Sequence, residues 1–249
     1  MVNSREIIRS GPLTIFGFDL AWGEKNRDGI CRMSFPDGLN GKPCRIASSL
    51  THGDDALLKA VKECRTNTIF LAIDAPTLAP NESGSRPVDR ECSQRFRKQE
   101  AGCHPANRRL CQRPLRVANA LRNEGFLLSP DFTKGNKLAA EVYPHPAMVR
   151  WFGLGKTIKY KRGRIVERRA EFSRYQSLLR EFLCDEFPHL LSDEVVEELL
   201  SLAWTKDQED RLDALLCALI GWWHLRFDGK KSEILGNDVS GHILLPAER

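Results

Sequence analysis

The sequence lacks the long apolar run that a membrane helix requires. Its longest uncharged apolar stretch, Ala214 to Trp223, is about half the ~20 residues that span a bilayer. The opening Met-Val-Asn-Ser-Arg-Glu-Ile-Ile-Arg-Ser has no extended apolar centre, so no secretory signal is expected. With no such signal, the eight cysteines point to reduced thiols and not to a disulfide framework. The expected location is therefore cytoplasmic, with no membrane partner. Neither Gly-x-Ser-x-Gly nor Gly-x-Gly-x-x-Gly occurs, which removes the hydrolase nucleophile elbow and the dinucleotide fingerprint. Gly155-Lys156-Thr157 looks like the end of a phosphate loop, but Arg150 stands where the earlier glycine is required. No internal repeat, low-complexity tract or obvious linker is visible. A single domain over residues 13–246 is the simplest parse.

What is present suits a folded globular chain. With 249 residues, 41% of them hydrophobic and 29% charged, a substantial core can form. The net charge of +5 matters less than its distribution. Arg86 to Arg122 holds ten Lys/Arg against three acids, and Leu154 to Arg174 eight against two. From Cys184 to Asp213 the balance reverses, with two bases against ten acids. Basic segments set apart from an acidic one suit a phosphate-gripping surface around a carboxylate pocket. Solvated helix faces explain the same counts about as well.

The sequence centres on Thr14-Ile15-Phe16-Gly17-Phe18-Asp19-Leu20-Ala21-Trp22-Gly23. This is a β-branched and aromatic strand over 13–20 running into one acid and a turn. The pattern recurs at Thr68-Ile69-Phe70-Leu71-Ala72-Ile73-Asp74-Ala75-Pro76. Between them the chain predicts strands over 30–35 and around 44–48, then a helix from residue 53. Both acid-tipped strands are almost wholly apolar, as expected when both sheet faces are covered. Residues 75–115 read as a long irregular stretch, the kind of loop that is functional or disordered. A helix is expected over 115–124 and a strand over 137–143, the latter ending at Glu141. Helices follow near 147–152, 166–183, 193–203 and 207–226, with an edge strand at 241–246.

On the last helix, at 100° per residue, Asp210 and Asp213 fall ~60° apart around the axis. Asp213 borders the apolar stripe of Leu212, Leu215, Leu216, Leu219 and Trp223, which half-buries it, while Asp210 sits further out. Each acid alone is explained by an arginine partner. Together, Asp19, Asp74 and Asp213 repel one another, and divalent cations relieve such repulsion. Two Mg²⁺ or Mn²⁺ ions ~4 Å apart can activate water and stabilise the leaving oxygen of a phosphodiester. His145, between two prolines, is expected on a turn, as a surface histidine in preference to a proton shuttle.

Gly-Phe-Asp-Leu-Ala (17–21), Ala-Ile-Asp-Ala-Pro (72–76), Glu-Val-Tyr-Pro-His (141–145) and Asp-Arg-Leu-Asp-Ala-Leu-Leu-Cys-Ala (210–218) resemble the DUF429 family. The Asp-x-x-Asp-Ala end of the last helix is similar to that of RuvC-type Holliday junction resolvases. The resemblance implies a ribonuclease H-like α/β fold: three antiparallel strands, then helix-separated parallel strands, flanked by helices and carrying a basic insertion at 77–114. It also implies a metal-dependent nuclease with Asp19, Asp74 and Asp213 as ligands, and Asp210 or Glu141 as a fourth. A salt bridge to an arginine explains Glu141 equally well.

The insertion suggests phosphate contacts through Arg86, Arg90, Arg95, Arg97, Arg108, Arg109 and Arg113. The turn Tyr160-Lys161-Arg162-Gly163-Arg164 adds a second grip through Lys161, Arg162 and Arg164. Cys92, Cys103, His104 and Cys111 are chemically fit for zinc but lack the Cys-x2-Cys knuckle, so phosphate contact is the stronger expectation. The expected function is metal-dependent phosphodiester hydrolysis of nucleic acid. Two alternatives stand beside it. One is a non-catalytic nucleic-acid-binding protein on the same fold. The other is an actin-like nucleotide phosphotransferase, for which the Gly-rich phosphate hairpin and second lobe are missing.

Overall fold

In a computed structural model of the protein, which describes residues 11–40, 42–43 and 45–248, alternate residues of the two acid-tipped strands feed opposite cores. The strands are β1 (Leu13–Asp19), β2 (Asp28–Phe35), β3 (Arg45–Thr51), β4 (Thr68–Ile73), β5 (Lys137–Glu141), β6 (Ser232–Asn237) and β7 (Gly241–Pro246). Seven α-helices are found among the described residues: α1 (Asp54–Lys62), α2 (Pro87–Arg95), α3 (Gln112–Asn123), α4 (Pro144–Trp151), α5 (Ile165–Glu186), α6 (Glu194–Ser201) and α7 (Lys206–Arg226). The five-stranded sheet runs β3-β2-β1-β4-β5. Its β1–β2 and β2–β3 pairs are antiparallel, and its β1–β4 and β4–β5 pairs are parallel. This mixed α/β layout is consistent with a ribonuclease H-like arrangement.

Side chains alternate across a strand. Leu13, Ile15, Phe70, Ala72 and Leu138 point into a large core with α4 to α7. Phe16, Phe18, Ile69, Leu71 and Ile73 point the other way, against α1 and α3. Both faces are covered, which accounts for the unbroken apolar runs. The long helix α7 is buried from Leu212 to Leu225, so its apolar residues surround its axis instead of forming one stripe.

Gly17 and Gly29 allow α7 to lie directly on the sheet. A Cβ at Gly17 would collide with the Ala214 carbonyl, and one at Gly29 with the Asp210 carbonyl. The two glycines of β1 and β2 thus set the height of the helix carrying Asp210 and Asp213.

Three expectations are corrected. The third strand occupies Arg45–Thr51, and Cys44, placed at its start from the sequence, lies outside the described residues. The stretch 75–115 is not wholly irregular. Helix α2 starts with Pro87 in its first turn, where proline is tolerated, and it buries Val88 and Cys92 against Leu235, Ile243 and Leu245 of the β6–β7 hairpin. His145 is helical, being in the first turn of α4. The flanking prolines fit there because the first-turn N–H groups have no partner to lose. No helix among the described residues is long and apolar enough to cross a membrane.

Candidate active site

Register decides where the acids meet. β1 and β4 run parallel with Phe18 opposite Ile73, and the Asp74 N–H donates to the Phe18 carbonyl at 2.8 Å. Asp19 and Asp74 therefore emerge side by side from the carboxyl ends of adjacent parallel strands, the edge where ligands of open α/β sheets bind. α7 crosses the same edge and adds Asp213, which is fully buried, and Asp210, which is 5% exposed. Asp210 is within hydrogen-bonding reach of Asp19. The helix acids are deeper than their positions beside the apolar stripe suggested, because α7 is covered on every side.

The Lys161 ammonium stands among these acids, 2.7 Å from Asp213 Oδ2 and 3.7 Å from Asp19 Oδ1. Burial opposes its charge, but Asp19, Asp213 and Asp74 outweigh that and hold its pKa well above the lysine value. Tyr160 donates its hydroxyl to Asp213 Oδ1 at 2.8 Å. Asp213 Oδ2 is buried and accepts no aligned hydrogen bond. Its contact with Lys161 is an ion pair. Lys206 reaches Asp210 Oδ1 at 2.6 Å.

The carboxyls still feel an excess of negative charge. Burial pushes Asp213 up to about 6, with Lys161 pulling down and Asp19 pushing further up. Burial and the Asp19 charge push Asp210 up to about 7, against Lys206. Burial also raises Asp74 well above the aspartate value. Lys161 opposes the shift, and Asp19, Asp213 and Glu141 add to it. Among the described residues no three His, Cys, Asp or Glu side chains form a ready-made cation cage. The central position is taken by Lys161.

Asp19 and Asp74 line a cavity of about 730 Å³. Trp22, Tyr143, His145, His104, Lys159 and Arg162 line it too. His145 is thus a cavity residue and not a plain surface histidine. Burial, then Lys161 and Arg162, push its pKa down to about 3, so the ring is neutral at ordinary pH.

Glu141 also lines the cavity, but its carboxylate is engaged. Arg86 donates to both oxygens at 2.6 and 2.7 Å, and the Thr77 N–H adds a bond at 3.3 Å. Arg86 is 1% exposed and also clasps Asp89. Arg113 is equally buried, against Asp28 and Asp54. These two arginines are therefore internal counter-ions and not the surface phosphate contacts expected from the basic run. Arg90, Arg95, Arg97, Arg108, Arg109, Arg162 and Arg164 are exposed. Arg95 pairs with Glu91 and Glu233, Arg109 with Glu82, and Arg164 with Glu167.

The four residues suggested for zinc are not drawn to one centre. Cys92 and Cys103 are neighbours, and that hydrogen bond and burial hold the Cys103 thiol pKa far up. Exposed His104 instead meets Arg162 at 3.1 Å, and Cys111 stands buried at the N-cap position of α3, where its side chain makes no capping bond. Two contributors carried no signal in the sequence: Lys161 as a partner of the acids, and Tyr160 as a donor to Asp213. Both sit in what reads as an ordinary basic turn.

No curated protein and no solved structure matches the chain. A family model described as "Protein of unknown function (DUF429)" matches residues 25–234. That span contains Asp74, Glu141, Asp210 and Asp213, and begins just after Asp19. Covering well over half of the sequence, the match makes the chain a member of the DUF429 family.

Proposed function

We propose that the protein hydrolyses phosphodiester bonds of nucleic acid at the Asp19, Asp74 and Asp213 cluster, with Mg²⁺ or Mn²⁺ as cofactor. One observation carries this reading. Asp19 and Asp74, from two parallel strand ends, line a single cavity, and Asp213 and Asp210 of one helix lie close enough behind them to interact, with the carboxyl pKa values of Asp74, Asp210 and Asp213 driven upward by burial and by their acidic neighbours. That pattern in a cleft is a mark of function. The donor set fits a hard divalent cation: every ligand is a carboxylate oxygen, and buried Asp213 Oδ2 already faces a positive charge, the Lys161 ammonium at 2.7 Å.

Bound there, such ions would lower the pKa of a coordinated water and offset charge on the leaving oxygen. Asp19, which neighbours Asp210, Asp213 and Asp74, would be the shared ligand, with Asp74 on one side and Asp213 on the other. Asp210 is better placed than Glu141 to be the fourth, because Arg86 and Thr77 already satisfy Glu141. Lys161 must leave the centre for a cation to enter, and its freed ammonium is then at hand for a phosphate oxygen. Neutral His145 can hydrogen-bond to substrate without adding charge. Arg162 and Lys159, exposed at the cavity, attract the backbone.

The test is cleavage of labelled single-stranded, duplex and branched DNA and RNA by wild type and Asp19→Asn, with Mg²⁺, Mn²⁺ or EDTA. Products that need metal and fall at least a hundredfold in the variant are expected. Tight binding by both proteins with no product on any substrate would favour a non-catalytic nucleic-acid-binding protein.

A further inference from the structure

The Lys161 ammonium sits on the Asp213 oxygen that a divalent cation would use. Tyr160, itself fully buried, donates its hydroxyl to Asp213 Oδ1 at 2.8 Å, which leaves Oδ2 as the oxygen without a hydroxyl partner. Lys161 Nζ holds that oxygen at 2.7 Å and stands 3.7 Å from Asp19 Oδ1. A divalent ion bonded to Oδ2 at about 2.1 Å would face the ammonium across a single atom. Like charges that close, with little water between them, repel strongly. The two cations are therefore competitors for Oδ2.

The Lys161 side chain can leave while its backbone stays. Ile158 and Tyr160 are fully buried on either side of Lys159, and the Thr157 N–H donates to the Gln99 carbonyl at 2.7 Å. The Lys161 side chain, by contrast, is 29% exposed and lines the cavity, and its ammonium rides on a flexible stem. Once off Asp213 it finds no unclaimed carboxylate. The acids lining the cavity are Asp19, Asp74, Asp89, Glu100 and Glu141. Asp19 and Asp74 belong to the cation site. Arg86 holds Asp89 and Glu141, and Lys156 and Lys159 hold Glu100. A displaced Lys161 needs an anion from outside the chain.

We infer that Lys161 is an exchangeable counter-ion, which gives up Asp213 to a divalent cation and takes a phosphate group of the bound strand in return. The exchange rests on the divalent-cation reading of the acids and adds a rule of assembly to it. Cation and phosphate tighten each other's binding, by the same factor in both directions. In protein that holds neither, Lys161 neutralises the acids and keeps their oxygens occupied.

The experiment is a calorimetric titration of metal-free protein with Mn²⁺ near pH 8, wild type beside Lys161→Met. It is run in sodium chloride and in sodium sulfate of equal ionic strength, sulfate standing in for a phosphate group. In chloride the variant should bind Mn²⁺ at least tenfold more tightly than wild type. Sulfate should tighten Mn²⁺ binding at least threefold in wild type and leave the variant unchanged. Equal affinities in chloride would overturn the exchange while leaving the cation site intact. Binding by the variant alone would make Lys161 a permanent occupant and overturn the exchange as well. Binding by neither protein would overturn the divalent-cation reading itself. A sulfate effect that is absent, or the same in both proteins, would overturn the phosphate contact. A second measurement needs no variant. Acetylation of Lys161 by a water-soluble active ester, read by mass spectrometry against Lys159, should quicken at least fivefold on saturation with Mn²⁺. An unchanged rate in wild type that binds Mn²⁺ would overturn the exchange.

Discussion

Lys161 holds the position that a cation must occupy if the acids are to stay charged together. Its ammonium lies 2.7 Å from Asp213, and removing one member of a buried pair strands the other. Loss of a well-buried partner costs about 3–5 kcal/mol. Lys161 is 29% exposed, and Asp213 can take up a proton instead, so Lys161→Met should cost about 1–3 kcal/mol near pH 8 and less near pH 5. The sign of the pH effect in the wild type follows from the same acids. Asp213 and Asp210 titrate at about 6 and about 7 in the folded chain, above the 3.8 of an ordinary aspartate. The folded protein thus binds protons that the unfolded chain has released, and stability of the metal-free protein falls as pH rises through that window. Urea denaturation in EDTA at several pH values should show this fall, steeper in Lys161→Met. A flat or rising profile would contradict it. The acids of this site were legible in the sequence because each ends an apolar strand or borders an apolar stripe. Lys161 was not, since its partners lie 52 and 142 residues away in the chain. Arg86 and Arg113 misled for the same reason. A basic run looks alike whether water or a distant Glu141 or Asp28 neutralises it.

At the scale of elements, the seating of α7 on β1 and β2 brings the helix acids to the strand acids. A methyl group at Gly17 meets the backbone of α7 at Ala214 and Ala218, where no flexible side chain can yield. Gly17→Ala should therefore push the helix outward, at a cost of about 1–3 kcal/mol for overpacking. It should also weaken divalent-cation binding, by drawing Asp213 away from Asp19. Denaturation and calorimetric titration of the same preparation test both effects. A variant as stable as wild type with unchanged metal affinity would show that the close approach is not needed. Strands and helices with strong periodicity were legible from the sequence, as was the order strand, strand, strand, helix, strand. Two elements were not. Helix α2 hides in an Arg- and Pro-rich stretch, and its apolar face is only Val88 and Cys92. Strand β6 buries a single residue, Leu235, and so shows no alternation. Both are held by packing on β7, a contact that no local pattern reveals.

At the scale of the whole molecule, the carboxyl edge of the sheet gathers what is far apart in sequence. Asp19 and Asp74 come from strands, Asp210 and Asp213 from the last long helix, and Arg162 and Lys159 from the basic turn that lines the cavity. The segregation of basic and acidic segments visible in the sequence is only partly a surface feature, because Arg86 and Arg113 turn inward while Arg162 and Lys159 stay at the cavity. The central claim is that four acids from two strand ends and one helix make a divalent-cation site. Its most direct test is a calorimetric titration of metal-free protein with Mn²⁺, wild type beside Asp19→Asn, at a pH near 7.5. Saturable binding of two ions with release of protons is predicted for the wild type, and loss of that binding for the variant. A wild type that takes up no Mn²⁺ at millimolar concentration, or a variant that binds it equally well, would contradict the claim.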